Sequence, residues 1–249
     1  MDKALHKLTS ENMEEHWWLV SRRKIIETVI KKHIKKINPE YKILDIGCGT
    51  GGNFNLLAKY SQNIIGLEND PYAIELSKEK YDFNIVQGNL PDNIPFPDES
   101  FDLITLFDVL EHVDDDETSL KNILAKIKPG GYFLLTVPAY QFLWSDLDVI
   151  NDHKRRYTLK ELSNKIKQAG LKIKYGSYFN TWLFPLIFLV YFLKNHFSMF
   201  KDTYQASFPS KPINFILKSI MSGERFIIQN GAFPFGVSII LLGCKEYSV

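Results

Sequence analysis

Apolar residues recur along the chain in two alternating rhythms. Between residues 14 and 37 they return at helical spacing, with Ile25, Ile26, Val29, Ile30 and Ile34 on one side and lysines on the other. That pattern predicts an amphipathic helix, ended by Asn38 and Pro39. Short unbroken runs of Ile, Leu, Val and Phe follow at 43–46, 64–67, 84–86, 103–107 and 132–137. Runs this short and apolar throughout read as strands buried on both faces. Helical segments lie between them, beginning after Gly51, after Pro71 and at 117–127. Strand and helix in repeated alternation imply right-handed crossovers and a mainly parallel sheet covered on both faces.

A further helix is expected at 158–169, with Thr158 as N-cap, Glu161 completing a capping box and Gly170 as terminator. Sixth and seventh strands are expected at 171–178 and 236–242. The resulting fold is α/β and doubly wound, with a mainly parallel seven-stranded sheet. Residues 180–234 are too many for a plain loop and should carry helices of their own. The expected organisation is one domain over 1–249: an N-terminal helical cap at 1–40, a core of 41–179 and 235–249, and an insertion or lid at 180–234.

The insertion holds the most apolar stretch, WLFPLIFLVYFL at 182–193. It falls short of the roughly 18 residues a membrane span needs. Two readings are open: a helix buried against the sheet, or a greasy lid or interfacial anchor. Lys194, His196 and Lys201 follow it, so residues 182–201 are a candidate for peripheral membrane contact.

Thirty Lys and Arg against twenty-nine Asp and Glu leave a net charge of +1. The general attraction that a dedicated nucleic-acid binder carries is therefore missing, and no nucleic-acid partner is expected. Two cysteines, Cys48 and Cys244, are too few for a disulfide framework and point to a reducing compartment. Asp2, Lys3 and His6 interrupt any secretory segment at the start. A cytoplasmic chain is expected, with peripheral contact at the inner membrane face through the insertion.

The strongest chemical signal is ILDIGCGTGG at 43–52, where a strand runs straight into glycines at 47, 49 and 51. Such a loop is either a tight strand-to-helix turn or a cradle that lets backbone approach a nucleotide. Glu68, about 20 residues on, ends the next strand, where a carboxylate can accept both hydroxyl protons of a ribose. Asp45 stands where a dinucleotide fingerprint ordinarily has an apolar residue or glycine. A carboxylate there would repel a pyrophosphate and suits a ligand with an ammonium group, which argues against a nicotinamide dehydrogenase.

These residues resemble the class I S-adenosylmethionine-dependent methyltransferases, in particular their broad small-molecule, type 11/12-like group. The likeness runs through the glycine loop, GLEND at 66–70, GNLPDNIPFPDESFDLI from 88, LFDVLEHVDD from 106 and KPGGYFLLTVP from 128. It covers nearly all of 41–169. It implies a Rossmann-like fold, S-adenosyl-L-methionine as cofactor, and methyl transfer; with the apolar insertion added, the expected acceptor is small or lipid-linked and the transfer is to oxygen. By the same resemblance, Asp45 and the backbone at Gly47, Cys48, Gly49 and Gly51 hold the methionine and ribose parts, Glu68 takes the ribose hydroxyls, and Asn69 borders the adenine. Asn89, with Leu90, falls where the family often has an aspartate on the adenine amino group; its amide oxygen accepts the same bond without charge. The segment LFDVLEHV lines the cofactor in the family, which brings in Phe107 and His112. HWW followed by two arginines, at 16–23, resembles a subgroup whose N-terminal helix closes over the cofactor, placing His16, Trp17 and Arg22 or Arg23 near the methionine carboxylate or the acceptor.

Methyl transfer from a sulfonium is an in-line displacement in which the protein mainly positions donor and acceptor, so a general base is optional. His153 is the preferred base. His112 is the other candidate, with a packed scaffold histidine as the alternative. After the fifth strand, PAYQFLWSD at 138–146 precedes NDHKRRYT at 151–158. Tyr140, Trp144, Arg155, Arg156 and Tyr157 are candidate acceptor contacts, since aromatic rings beside paired guanidinium groups suit a molecule both apolar and anionic. The competing reading is a solvated basic loop. Histidine, cysteine and carboxylate residues do not cluster at metal spacing, and no metal is expected. A non-catalytic module that keeps the cofactor fold as a sensor is the alternative function.

Overall fold

In the computed structural model, which describes residues 10–35, 37–196 and 209–247, every apolar run expected as a strand is part of one. β1 (Lys42–Ile46), β2 (Asn63–Glu68), β3 (Asn84–Gln87), β4 (Phe101–Phe107) and β5 (Ile127–Pro138) run parallel. With β6 (Lys172–Phe179) and β7 (Ser238–Cys244) they form a seven-stranded sheet in the order β3-β2-β1-β4-β5-β7-β6. β7 runs antiparallel to both its neighbours and is buried along its whole length. A strand covered on both sides has no polar face to show, which is why its sequence is apolar without alternation.

The helices follow their local signals. α1 (Trp17–His33) buries Ile25, Ile26, Val29 and Ile30. It stops at Ile34, short of residue 37, with Lys31, Lys32 and His33 placed favourably against the negative end of its dipole. α2 (Phe54–Leu57) follows the glycine loop. α3 (Pro71–Lys80) starts on a proline whose missing N–H costs nothing at that position, and Asp70 caps it by accepting from the Tyr72 N–H at 2.9 Å. α4 (Asp116–Ala125) is capped in the same way by Asp115. α5 (Asp146–Ile150) was not expected; Ser145 and Asp148 form a reciprocal capping box there. In α6 (Leu159–Gln168), Thr158 accepts from the Glu161 N–H at 3.2 Å and Gly170 ends the segment with φ 104°.

Between β6 and β7 lie α7 (Phe184–His196), α8 (Lys211–Gly223) and α9 (Arg225–Ile228). α8 packs on α1 although nearly 200 residues separate them in sequence. Ser21 Oγ bonds to the Lys218 carbonyl and to Ser222 Oγ, and Asn214 bridges the Trp17 N–H and the Glu15 carbonyl. The insertion is tied to the sheet by Glu224. Its buried carboxylate accepts the main-chain N–H groups of Asn180, Thr181 and Trp182 at 2.7, 2.6 and 2.8 Å. The 182–193 run is not a buried helix. Leu186, Phe188, Leu189, Val190 and Phe192 are exposed, as is Trp182, while Leu183 alone is fully covered and Ile187 rests on the core. Lys201 lies outside the described residues. No helix among the described residues is long and apolar enough to cross a membrane.

Removing the Glu224 carboxylate strands three buried donors, each of which is costly to leave unpaired. Glu224→Ala is expected to lower unfolding stability by on the order of 3 kcal/mol, read as a fall in the urea midpoint at unchanged slope.

Candidate functional site

The loops leaving β1, β2, β3 and β4 enclose a cavity of about 500 Å³ at the carboxyl edge of the sheet. It lies where the strand order reverses around β1, the place at which open α/β sheets take ligands. From β1 come Gly47 and Gly49; from β2, Glu68 with Asn69 and Asp70. Asn89 and Leu90 follow β3, and Asp108 and His112 follow β4.

The glycine loop is held by β2. Gly47 N and Cys48 N both donate to the Leu67 carbonyl, and Gly49 N donates to Glu68 Oε2 at 2.7 Å. Gly47 has φ 65°, and a Cβ there would lie 2.4 Å from a Val109 methyl. Gly49 has φ 55° and nothing within 4 Å of where a Cβ would be, so bare backbone faces open space. Cys48 and Gly51 are not in the cavity lining. The Cys48 side chain is buried against Gly66 and Phe54, and burial pushes its thiol up, so it packs the core. Gly51 is small because Ser77 of α3 and Tyr81 just after it press on it: a Cβ there would lie 2.6 Å from Ser77 Oγ and 2.7 Å from the Tyr81 ring, so packing and not a ligand excludes a side chain. Phe107 is likewise core, and Trp17 packs between His16 and Trp18 away from the cavity lining.

Glu68 Oε1 accepts from the N–H groups of Asn69 and Asp70, so the carboxylate is fixed at the cavity wall with lone pairs to spare. Asp45 is fully buried beneath the loop. Its Oδ1 accepts from Thr105 Oγ at 2.6 Å, its Oδ2 has no protein partner, and burial pushes its carboxyl up to about 7 against the opposing pull of Thr105 and Arg22. Arg22 does reach the site from α1, where it forms an ion pair with Asp108; the other Asp108 oxygen accepts from Thr136 Oγ at 2.9 Å.

The expected acceptor clamp is built differently. Arg156 points inward: its Nε and Nη2 each donate to the buried Asp148 carboxylate at 2.8 Å, and Nη1 donates to the Ala139 carbonyl. Asp148 also accepts from Ser145 N and, at 2.8 Å, from His153 Nδ1. Burial raises the Asp148 carboxyl, but these hydrogen bonds and the guanidinium outweigh it and hold the group well below the usual carboxylate range. Tyr157 is wholly buried, its hydroxyl donating to Asp116 at 2.9 Å. Neither Arg156 nor Tyr157 is therefore free to meet an acceptor. Arg155 stays partly exposed, bonded to the carbonyl of cavity-lining Asp114. Trp144 is half-buried after the short turn at Gln141–Leu143. Tyr140 stacks on Tyr178 and Phe142, and the aromatic contacts continue through Phe184 and Phe188 to Phe192 on the exposed face of α7.

His112 lies in the cavity wall and meets His153 edge-on, with ring centroids 4.7 Å apart. Burial, with His153 beside it, lowers its pKa. Next to it Glu111 is fully buried, and neither of its oxygens has a partner; burial and neighbouring Asp108 push its carboxyl well above the usual range. Sequence reasoning missed Asp148 as the organiser of this loop. The Ser145-to-Asp148 spacing was its one local signal.

The sheet order and the cavity at its reversal point define a doubly wound α/β protein with a nucleotide-type site. Residues 18–175 match the family model described as a methyltransferase domain. Among relatives, the chain is 30% identical over 215 residues to cycloartenol-C-24-methyltransferase of Arabidopsis thaliana, covering 74% of this chain and 60% of that protein. It is 32% identical over 136 residues to sterol 24-C-methyltransferase of Aspergillus fumigatus, covering 51% and 35%. Of solved structures, an S-adenosylmethionine-dependent methyltransferase from Archaeoglobus fulgidus superposes with TM-score 0.56 at 18% identity, covering 90% of this chain and 94% of that one. A Haemonchus contortus phosphoethanolamine N-methyltransferase in complex with S-adenosyl-L-methionine gives 0.58 at 19%, covering 89% and 52%. The chain belongs to the methyltransferase-domain family, with the class I architecture, and S-adenosylmethionine is the cofactor this membership implies.

Arg156→Ala would leave Asp148 buried without its main counter-charge. A loss of about 3–5 kcal/mol in unfolding free energy is expected, measured by urea denaturation, and Arg156→Lys should restore only part of it because an ammonium cannot reproduce the fork.

Proposed function

We propose that the chain transfers a methyl group from S-adenosylmethionine to an apolar or amphiphilic small-molecule acceptor, lipid-linked molecules included, at oxygen. The observation that carries this reading is the joint presence, in one cavity, of open backbone at Gly49, the Glu68 carboxylate and, beneath them, a buried carboxylate with one unpartnered oxygen at Asp45. These residues fit the cofactor. Gly47 and Gly49 let it approach the main chain, Glu68 takes the ribose hydroxyls, Asn69, Asn89 and Leu90 border the adenine, and Asp45 balances the positive charge of the methionyl end.

When bound, the cofactor supplies a methyl group already activated as a sulfonium. The work left to the chain is to hold, orient and exclude water. Asp108 and His112 close the β4 side of the cavity, and Arg22 from α1 pairs with Asp108. On the acceptor side, the aromatic contacts from Tyr140 to Phe192 and the exposed faces of α7 and α8 favour an apolar molecule. The relatives named for sterol methylation favour the same class. We read the chain as one cytoplasmic domain, made of an N-terminal cap at 1–40, a core of 41–179 and 235–249, and an insertion at 180–234. Residues 182–201 then meet the inner membrane face and deliver the acceptor.

Because Asp45 sits near neutrality, a cationic ligand brought against it draws its proton off. Cofactor affinity should therefore strengthen as pH rises through about 7 and level off above it. Calorimetric titration in buffers of different ionisation enthalpy is expected to show proton release, absent in Asp45→Asn. Glu68→Gln should weaken binding at least about 10-fold, the scale of a lost charge-assisted hydrogen bond. Unchanged affinity in both variants would overturn the cofactor site. For the acceptor, incubation of the protein and radiolabelled cofactor with whole-cell extract should place label in the organic phase, in products whose hydrolysis distinguishes oxygen from carbon methylation. Label confined to the aqueous phase would reject an apolar acceptor, and no label anywhere would favour the non-catalytic module.

A further inference from the structure

Glu111, His112 and His153 come together at the cavity wall. Each offers a ligand atom, and these atoms lie within 4.8 Å of one another. The sequence conceals the grouping, since about 40 residues separate the pair after β4 from the histidine that follows α5. We propose that these three side chains bind one divalent transition-metal ion, with the remaining coordination positions left to water or to a ligand in the cavity.

Two imidazoles and a carboxylate form a donor set that suits a zinc-like or iron-like divalent ion and leaves coordination open. Donors each about 2.1 Å from one ion lie at most about 4.2 Å apart, so side-chain movements of less than about 1 Å close the group on an ion. Glu111 supplies the most direct sign of a missing partner. It is wholly buried, and neither carboxylate oxygen has a hydrogen bond. A buried carboxylate with no donor is costly, and a cation is one of the few partners that removes the cost.

His153 is also oriented as a ligand is. His153 Nδ1 is held at 2.8 Å by Asp148, itself locked by Arg156 and the Ser145 N–H. An ionised carboxylate only accepts, so the proton is on Nδ1 and Nε2 carries the free lone pair. A carboxylate partner of this kind fixes the tautomer and direction of a metal-bound histidine. The nearby guanidinium groups do not oppose a cation, because Arg22 is paired with Asp108 and Arg156 with Asp148. His112 lines the cavity, so an ion has a path in. With the site filled, His153 Nε2 and His112 are ligands, which replaces their expected part as proton acceptors; an ion in this wall would be placed to orient an oxygen of a molecule in the cavity.

The test uses the full chain, stripped with a chelator and titrated with Co²⁺ as probe. One equivalent is expected to bind with visible ligand-field absorption and to be displaced by Zn²⁺. His153→Ala and Glu111→Gln should each weaken Co²⁺ binding more than about 10-fold, and Asp148→Asn should weaken it about 10–100-fold with all three ligands present. Circular dichroism and cofactor titration on the same variants check that they are folded. If His112→Ala does not fold, the His153 and Glu111 variants carry the test. Absence of stoichiometric Co²⁺ binding, or binding that folded His153→Ala and Glu111→Gln retain, would overturn the site. None of these readings depends on methyl transfer, so a failure here leaves the proposed activity standing, and a failure of that activity leaves this site standing.

Discussion

Because β1 pairs in parallel with β2 on one side and β4 on the other, the connections that leave these strands must part in opposite directions at their carboxyl ends. No packing can fill the gap where they part, since each chain is drawn away toward its own crossover. The register of that pairing places Asp45 opposite Thr105, so the carboxylate beneath the gap is held by a hydroxyl from the neighbouring strand. Everything else in the site is hung on this edge: the glycine loop fastened to Leu67 and Glu68, the Asn89 and Leu90 wall, and the turn from Asp108 to His112.

Around the gap, ionic groups do the positioning that hydrophobic packing does in the core. Arg22 pairs with Asp108, and Arg156 with Asp148, which in turn directs His153. Thr136 also holds Asp108, Ser145 holds Asp148, and the Ala139 carbonyl accepts from Arg156. A buried pair contributes little net stability compared with an apolar substitute, but it is directional, and breaking it on one side is expensive. A loop between a strand and a helix that lacks regular backbone pairing gains a defined shape from such contacts. Glu224 works in the same way at the root of the insertion, gathering three consecutive N–H groups.

The insertion presents the reverse situation. α7 is apolar on nearly all sides and yet exposes Leu186, Phe188, Leu189, Val190 and Phe192, while α8 exposes Ile213, Phe215 and Ile216. Apolar exposure on this scale is unusual on a protein that meets only water. Its aromatic contacts run back to Tyr140 beside the end of β5. α8 is locked to the N-terminal cap through Ser21, Asn214 and Ser222, and the Arg22 that pairs with Asp108 lies on the same cap helix.

Much of this protein was legible along the chain. The period of its apolar residues located all seven strands and the main helices, and the spacing from the glycine loop to Glu68 located the cavity, because each signal is complete within a strand or a turn. Cap residues such as Thr158 were readable for the same reason. The misreadings share another cause. Arg156 and Tyr157 look like surface contacts in sequence, but Asp148 and Asp116 draw them inward. Whether residues 182–193 lie inside or outside could not be read from their composition, since an apolar helix is compatible with both. The sequence by itself determined the strands, their glycine loop and the carboxylates at their ends, through interactions that span a few residues. Only the tertiary structure decided which way each loop side chain turns and that Glu111, His112 and His153 meet, because those choices depend on partners supplied by distant segments.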